Sequence, residues 1–287
     1  MVVKPHYLTE KSISDFISAA LLEDVGPGDY STLAAVPAGT QNRARLLIKD
    51  SGILAGVALA QHIFHQVDPE LRVNVLLEDG SPIQYGDIGM TVEGSARSIL
   101  TAERLVLNCM QRMSGVATYT HYLNSLIEDT GVRLLDTRKT TPNFRLPEKW
   151  AVAIGGGSNH RFGLYDMVML KDNHIDYAGG IKPAIKATQK YLQENSLSLA
   201  IEVETRNLEE VKEVLETGGV QRIMLDNMSP VLMKEAVAII NGRSETEASG
   251  GITEKTIREV AESGVNFISV GALTHSVKSL DISLKAF

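Results

Sequence analysis

Apolar positions along the chain follow one period, then a second, then alternate between the two. Between residues 12 and 24, Ile13, Phe16, Ile17, Ala20 and Leu21 recur at the spacing of one helix face. Ser12 reads as the cap of that helix and "GPGD" at 26–29 as its stop. From Arg43 to Gly94 the pattern shortens. "ARLLIKD", "LRVNVLL" and "GMTVEG" read as strands, with turn signals at Asp79-Gly80 and Gly86-Asp87. Between them "VALAQHIFHQV" reads as a helix. These elements predict a small α+β domain over residues 1–112.

Beyond Ser98 a long helical pattern, "ILTAERLVLNCMQRMSGVATYTHYLNSLIED", is interrupted at Gly115. Strand and helix patterns then alternate. The strands are "VRLLDT" (132–137), "MVMLKD" (167–172), "LAIEVE" (199–204), "RIMLDN" (222–227), "TEAS" (246–249) and "NFISVGA" (266–272). "LEEVKEVLETG" and "EKTIREVAESG" are amphipathic helices that end in glycine. Strands that are apolar throughout, alternating with helices, imply a parallel sheet covered by helices. Six strands are counted over residues 113–272, where a closed barrel needs about eight, and "TEAS" is poor by propensity. The expected architecture is therefore an open or incomplete α/β barrel. The tail 273–287 ends in "LDISLKAF", an alternating pattern read as a strand that returns to the small domain.

Composition narrows the class. The chain has 287 residues, 44% hydrophobic and 22% charged, enough to bury a substantial core. No apolar run approaches the eighteen or so residues that span a bilayer, and "MVVKPHYLTEKS" lacks the marks of a secretory signal. One cysteine, Cys109, excludes an intrachain disulfide and a multi-cysteine metal site. The net charge of -7 argues against nucleic acid or an anionic membrane as principal partner. A cytoplasmic enzyme is expected.

Against that acidic balance, cations gather in one region. "LDTRKTTPNFRLPEK" carries Arg138, Lys139, Arg145 and Lys149, "SNHRF" adds His160 and Arg161, and "MLKDNH" adds Lys171 and His174. Barrel enzymes place their sites at the C-terminal ends of the strands. There the six strands deliver Asp136/Arg138/Lys139, Lys171/Asp172, Glu204, Asp226/Asn227, Ser249-Gly250-Gly251 and Gly271-Ala272. One strand ending in charge is ordinary. Cations converging on one rim repel by about 1 kcal/mol or more per close pair, so they need an anion. Arg138 and Arg161 offer planar forks for carboxylate or phosphate, while Lys139 and Lys171 act as point charges. "SGGI" and "SVGA" follow the last two strands, where backbone N–H groups commonly bind phosphate. Glu204 and Asp226 suit sugar hydroxyls, magnesium, or positive charge developing in a reaction. The sum is a substrate with carboxylates, phosphates and a sugar.

The region "LLDTRKTTPNFRLPEKWAVAIGGGSNHRFGLYDMVMLKDNHI" closely resembles the signature of the quinolinate phosphoribosyltransferases. The resemblance extends through "EDVGPGDYST", "TAERLVLNCMQRMSGVAT", "IEVE", "MLDN", "EASGGI" and "DISLK", nearly the whole chain. Two departures are small: Asn143 stands where a glycine is common and Pro147 where an apolar residue is usual. The resemblance implies a small N-terminal α/β sandwich domain with an open α/β barrel, and transfer of phosphoribose from 5-phosphoribosyl pyrophosphate to quinolinate, giving nicotinate mononucleotide, pyrophosphate and carbon dioxide. It implies quinolinate contacts from Arg138, Lys139, His160, Arg161 and Lys171, with Arg104 supplied by a neighbouring subunit of a homodimer. Thr137, Ser249, Gly250, Gly251, Val270, Gly271 and Ala272 complete the expected substrate-binding set. Lys139, Glu204 and Asp226 are expected to act in catalysis, the two carboxylates also toward Mg2+, which is held mainly through the sugar pyrophosphate.

Plainer readings apply to the rest. Cys109 lies among Leu105, Val106, Leu107 and Met110 and reads as core. His62, His65, His121 and His275 have no clustered partner in sequence, His174 reads as a brace for the loop after Lys171, and Trp150 as packing. "GGGSNH" at 155–160 is tight backbone rather than a dinucleotide fingerprint. Three rival functions remain: a related transferase with another acceptor, a Schiff-base aldolase using Lys171, and a non-catalytic anion binder, which would leave Glu204 and Asp226 unexplained.

Overall fold

The computed structural model describes residues 5–287. In chain order its first elements are α1 (Glu10–Asp24), α2 (Tyr30–Ala35), β1 (Gln41–Ile48), β2 (Gly52–Ile53), α3 (Val57–Val67) and β3 (Arg72–Val75). There follow β4 (Pro82–Ile83), β5 (Ile88–Ser95), α4 (Ala96–Ser125), β6 (Arg133–Leu135), α5 (Arg145–Ile154) and β7 (Val168–Leu170). Next come α6 (Asp172–Ala178), α7 (Ile181–Glu194), β8 (Ile201–Thr205), α8 (Leu208–Thr217), β9 (Arg222–Asp226) and α9 (Pro230–Ile240). The last are β10 (Glu245–Ser249), α10 (Ile257–Ala261), β11 (Phe267–Ser269), α11 (Ala272–His275) and β12 (Ile282–Ala286). They form two compact units. One holds the chain up to His121 with Lys139–Gly156 and Ala272–Phe287; the other holds Tyr122–Arg138 and Gly157–Gly271. The first unit thus takes in 139–156 and the C-terminal tail together with the N-terminal segment.

In the first unit, alternation along β1 buries Ala44, Leu46 and Ile48. The antiparallel sheet runs β12-β1-β5-β3, so the C-terminal tail pairs directly with β1, Leu46 opposite Leu284. Val57, Leu59, Ala60, Ile63 and Phe64 are the buried residues of α3, against which α1 packs. The cap of α1 is Thr9 rather than Ser12. Thr9 Oγ1 accepts from the Ser12 amide at 3.0 Å while Ser12 Oγ accepts from the Thr9 amide at 3.0 Å, a reciprocal box that moves the start one turn earlier. Nor does Gly115 interrupt α4, which runs unbroken from Ala96 to Ser125. A Cβ at that position would overlap the Lys278 carbonyl, so the glycine admits the returning tail.

The second unit is a six-stranded sheet in the order β6-β11-β10-β9-β8-β7, with every pairing parallel. The outer strands β6 and β7 do not pair with each other, so the barrel is open as expected. One residue extends it: Ser158 bridges to Leu135 in parallel beside β6. The weak "TEAS" pattern is a central strand, β10. Propensity loses there because Glu247 is taken into a buried ion network and Thr246 Oγ1 donates to Asn266 Oδ1 at 2.9 Å. Parallel strands align their C-terminal ends on one rim, and that rim carries the chemistry.

Candidate active site

Within the second unit the rim gathers Arg138, Arg161, Lys171, Glu204 and Asp226 at or just beyond the ends of β6, β7, β8 and β9. Arg161 is half-buried, and burial together with the nearby Arg138 guanidinium lowers its pKa. That shift records two like charges held close on the rim. Arg161 Nη1 donates to the Met167 carbonyl at 3.2 Å, which leaves the fork's remaining donors for an anion. Asp166 braces the same loop, accepting from the amides of Phe162 at 2.6 Å and Gly163 at 2.9 Å.

Lys171 is exposed, with Nζ 3.6 Å from Glu204 Oε2. Burial raises the Glu204 pKa, Lys171 opposes that, and Asp226 adds to it. The two carboxylates are thus close enough to repel. The Lys171 amide donates to His174 Nδ1 at 3.0 Å, the loop brace expected from sequence. Asp226 accepts from Asn227 Nδ2 at 2.6 Å, and the Asn227 amide donates to the Ser249 carbonyl at 2.9 Å. Gly250 and Gly251 follow at φ 94° and 61°, a left-handed pair beyond β10 of which Gly251 is exposed. Val270 donates its amide to the Leu135 carbonyl at 3.0 Å, closing β11 onto β6 ahead of Gly271.

His160 does not lie on this rim as a free cation. It is buried beneath it. Nε2 is 2.9 Å from Glu202 Oε2 and 3.4 Å from Glu247 Oε2, while Nδ1 accepts from the Arg161 amide at 2.7 Å. Glu202 and Glu247 thus face Nε2, and the Arg161 amide faces Nδ1. Burial disfavours a charged ring, but Glu202 and Glu247 outweigh it and raise its pKa to about 9. Burial and the charge of Glu247 raise the Glu202 pKa. Arg222 Nη1 is 3.1 Å from Glu247 and balances its charge.

Glu202, Glu247 and Arg222 were not among the residues drawn from the sequence, and Asp136 was named there only as a strand-end group. Asp136 is fully buried, accepting from Asn159 Nδ2 at 2.6 Å and the His160 amide at 2.8 Å. A signal existed: Glu202 sits two residues before Glu204, on the same face of β8, and Glu247 is mid-strand in β10. A carboxylate inside a doubly covered strand has to be paired.

Three expected site residues, Arg104, Lys139 and Ala272, belong to the first unit. Arg104 is exposed on α4. Lys139 is exposed, and its carbonyl accepts from Thr274 Oγ1 at 2.9 Å. The following turn is held by fully buried Glu148, which accepts from the Thr141 amide at 2.9 Å and pairs with Arg112 at 2.9 Å. Arg112 also donates to the carbonyls of Thr274 and Val277. Asn143 sits at φ 61°, a left-handed conformation that asparagine tolerates and glycine favours. Pro147 lies in the first turn of α5, where no helical donor is lost.

A parallel α/β sheet whose C-terminal rim combines forked cations, paired carboxylates and left-handed glycines defines an enzyme site for a polyanionic, sugar-bearing substrate. Residues 29–114 match the N-terminal domain, and 116–285 the C-terminal domain, of quinolinate phosphoribosyl transferase. The chain is 49% identical to the chloroplastic nicotinate-nucleotide pyrophosphorylase [carboxylating] of Arabidopsis thaliana, covering 99% of this chain and 86% of that protein. A probable nicotinate-nucleotide pyrophosphorylase of Bacillus subtilis is 39% identical over 97% of this chain and 93% of its own. Among solved structures, NadC from Streptococcus pyogenes superposes with a TM-score of 0.90 at 42% identity, covering 97% of each chain. The chain belongs to the quinolinate phosphoribosyltransferase family.

Proposed function

We infer that this chain transfers phosphoribose from 5-phosphoribosyl pyrophosphate to quinolinate, giving nicotinate mononucleotide, pyrophosphate and carbon dioxide. The observation that carries this reading is one strand-end rim that bears both the close pair Arg138 and Arg161 and the close carboxylates Glu204 and Asp226. The guanidiniums match a ring dicarboxylate, with Lys171 and Lys139 as further cations. The pyridine nitrogen is itself the nucleophile, so no activated serine or cysteine is needed. Cys109 is buried and its thiol is pushed up to about 12, unsuited to nucleophilic attack.

As pyrophosphate leaves, C1 of the ribose becomes oxocarbenium-like, and negative charge on Glu204 and Asp226 stabilises it. The amides at Ser249–Gly251 and Val270–Ala272, with Thr137, suit the phosphates. Two near carboxylates form a hard-oxygen donor set that fits Mg2+, and Glu204 and Asp226 would hold it. Bound there, magnesium would offset the charge of the leaving group. Once alkylated, the ring nitrogen is an electron sink. The C2–carboxylate bond then breaks, its electron pair passes into the cationic ring, and a proton replaces carbon dioxide at that carbon. The rim's contribution is position and charge.

The imine reading of Lys171 has less support, because its amine is ion-paired with Glu204 rather than set in an apolar pocket. We also propose a homodimer in which Arg104 completes the partner's site. Exposed Arg104 lies one turn from exposed Leu100, the mixed cationic and apolar surface that interfaces use. A cytoplasmic location is proposed as well, for which cell fractionation is the test. No helix among the described residues is long and apolar enough to cross a membrane. The deciding assay measures carbon dioxide and pyrophosphate released from quinolinate, with nicotinate and nicotinamide as controls. Equal turnover of either control would overturn the acceptor assignment.

A further inference from the structure

We propose that Thr274 is a positioning residue for Lys139, its hydroxyl holding the Lys139 carbonyl inside a clasp that Arg112 and Glu148 close. The inference deepens the proposed function, because it rests on the role given there to Lys139. All four residues belong to the first unit. Thr274 is fully buried on α11, a single turn that opens on Ala272, and its Oγ1 donates to the Lys139 carbonyl at 2.9 Å. A little further along the chain, Thr141 is gripped by Glu148 of α5. Glu148 Oε2 accepts from the Thr141 amide at 2.9 Å, and Oε1 from the Thr141 hydroxyl at 3.0 Å. Arg112 of α4 joins the two grips. Its Nε and Nη2 donate to Glu148 Oε1 at 3.1 and 2.9 Å. Nη2 also donates to the Thr274 carbonyl, and Nη1 donates to the Val277 carbonyl at 2.9 Å.

The contacts form a ring through three segments far apart in sequence: α4, residues 139–148, and the chain after β11. Residues 136–144 form neither helix nor strand, so side chains hold this loop where a ladder would otherwise do so. Lys139 is exposed, and a lysine amine swings on a flexible four-carbon stem. What the protein can fix is the backbone from which that stem starts. A reacting or charge-bearing group displaced by about 1 Å can lower a rate by about a hundredfold. Buried Glu148 can stay charged because Arg112 and Thr141 satisfy it, which makes the far side of the clasp rigid. The Thr274 backbone is held separately, by Arg112 on its carbonyl. Removing the Thr274 hydroxyl therefore takes one donor from the Lys139 carbonyl and leaves α11 where Arg112 holds it.

Thr274→Val keeps the shape and loses the hydroxyl, while Thr274→Ser keeps the donor. With quinolinate, kcat/KM should fall by about tenfold or more in Thr274→Val and stay within about threefold of native in Thr274→Ser. A double-mutant cycle with Lys139→Ala separates positioning from general support. With the amine gone, Thr274→Val should change the residual kcat/KM and the quinolinate Kd by less than about twofold. Equal losses in the two Thr274 variants, a native-like Thr274→Val, or a loss of full size in the Lys139→Ala background would each overturn the proposal. Hydrogen exchange on the unliganded enzyme tests the clasp without substrate. The Thr141 amide should exchange about a hundredfold or more slower than in an unstructured loop, and residues 137–144 should exchange faster in Thr274→Val than in Thr274→Ser. Unprotected Thr141 in the native chain would overturn the clasp even if Thr274→Val does not fold. Native protection without quinolinate turnover would tell against the acceptor and not against the clasp, which the exchange of Thr274→Val still decides.

Discussion

Asn227 Oδ1 occupies the space that a Cβ on Gly250 would need, so the turns after β9 and β10 interlock through a side chain and a bare backbone. Gly250 is also at φ 94°, which costs any L side chain. Asn227 is fixed in turn, at φ 53° with its amide on the Ser249 carbonyl and its side chain on Asp226. Gly250→Ala should therefore displace Asn227 and, through it, Asp226. We expect a stability loss of about 1–3 kcal/mol and a fall in kcat larger than that loss explains at a temperature where the variant is folded. Gly131→Ala is the control: φ 75°, but nothing within 4 Å of the added atom. It should cost stability alone. Equal kcat in the two variants would separate Gly250 from the carboxylate.

Acceptor choice follows from the cations. Nicotinate lacks the carboxylate next to the ring nitrogen, so using it leaves part of the Arg138/Lys139/Arg161/Lys171 set without its anion. A lost charge-assisted contact costs roughly 1.5–3 kcal/mol, and stranded cations cost more. Quinolinate should be preferred by about two orders of magnitude or more in kcat/KM. Competition assays with both acceptors in one vessel measure the ratio directly.

Binding and chemistry should separate by residue. Arg161→Lys keeps the charge and loses the fork, so the quinolinate KM should rise about tenfold with a smaller change in kcat. Glu204→Gln and Asp226→Asn keep shape and remove negative charge beside the developing oxocarbenium. Their kcat should fall by about a hundredfold or more while quinolinate affinity changes little. Isothermal titration with quinolinate, beside steady-state rates, distinguishes the two patterns. Poor binding with normal turnover at saturation would reverse the assigned roles.

How far the sequence carries depends on what each residue needs from distant chain. The six strands of the second unit were readable because each is an apolar run bounded by turn residues, and their ends named Arg138, Lys171, Glu204 and Asp226 without coordinates. "LDISLKAF" was readable as a strand because alternation is local. Gly115 was not, since its cause is Lys278, more than a hundred residues away. His160 had a readable neighbourhood, beside Arg161, but not a readable burial. Its burial depends on two strand-interior glutamates whose side-chain direction only the folded sheet reveals. The charged layer under the rim is thus a tertiary property, while the rim itself is written in strand endings.

Stability should vary with pH through Asp79. Burial raises the pKa of its carboxyl above the usual aspartate value, against hydrogen bonds from the amides of Val57 at 2.9 Å and Ala58 at 3.1 Å. A folded-state pKa above the unfolded one means that folding disfavours the ionised form. Its favourable contribution is present below the unfolded pKa and is lost as pH rises through the folded pKa. Asp79→Asn removes this titration. The stability of the native chain relative to Asp79→Asn should therefore be greater near pH 4 than near pH 7, as measured by urea unfolding at both. The opposite slope would place the amide hydrogen bonds above burial in setting this group.

Arg104 tests whether a site needs two chains. It is exposed on α4 and, by the family resemblance, reaches the acceptor pocket of a neighbouring subunit. In a two-fold dimer, Arg104→Ala and Arg161→Ala should each be inactive as homodimers. Unfolding and co-refolding equal amounts gives mixed dimers in which one site carries both lesions and the other carries neither. Random pairing makes half of all dimers mixed and restores one site in each, so about a quarter of all sites should recover. Mass measurement of the refolded mixture establishes that mixed dimers are present. If they are present and the mixture stays as inactive as its parents, Arg104 does not act across the interface, and its position on α4 serves only the surface of its own chain.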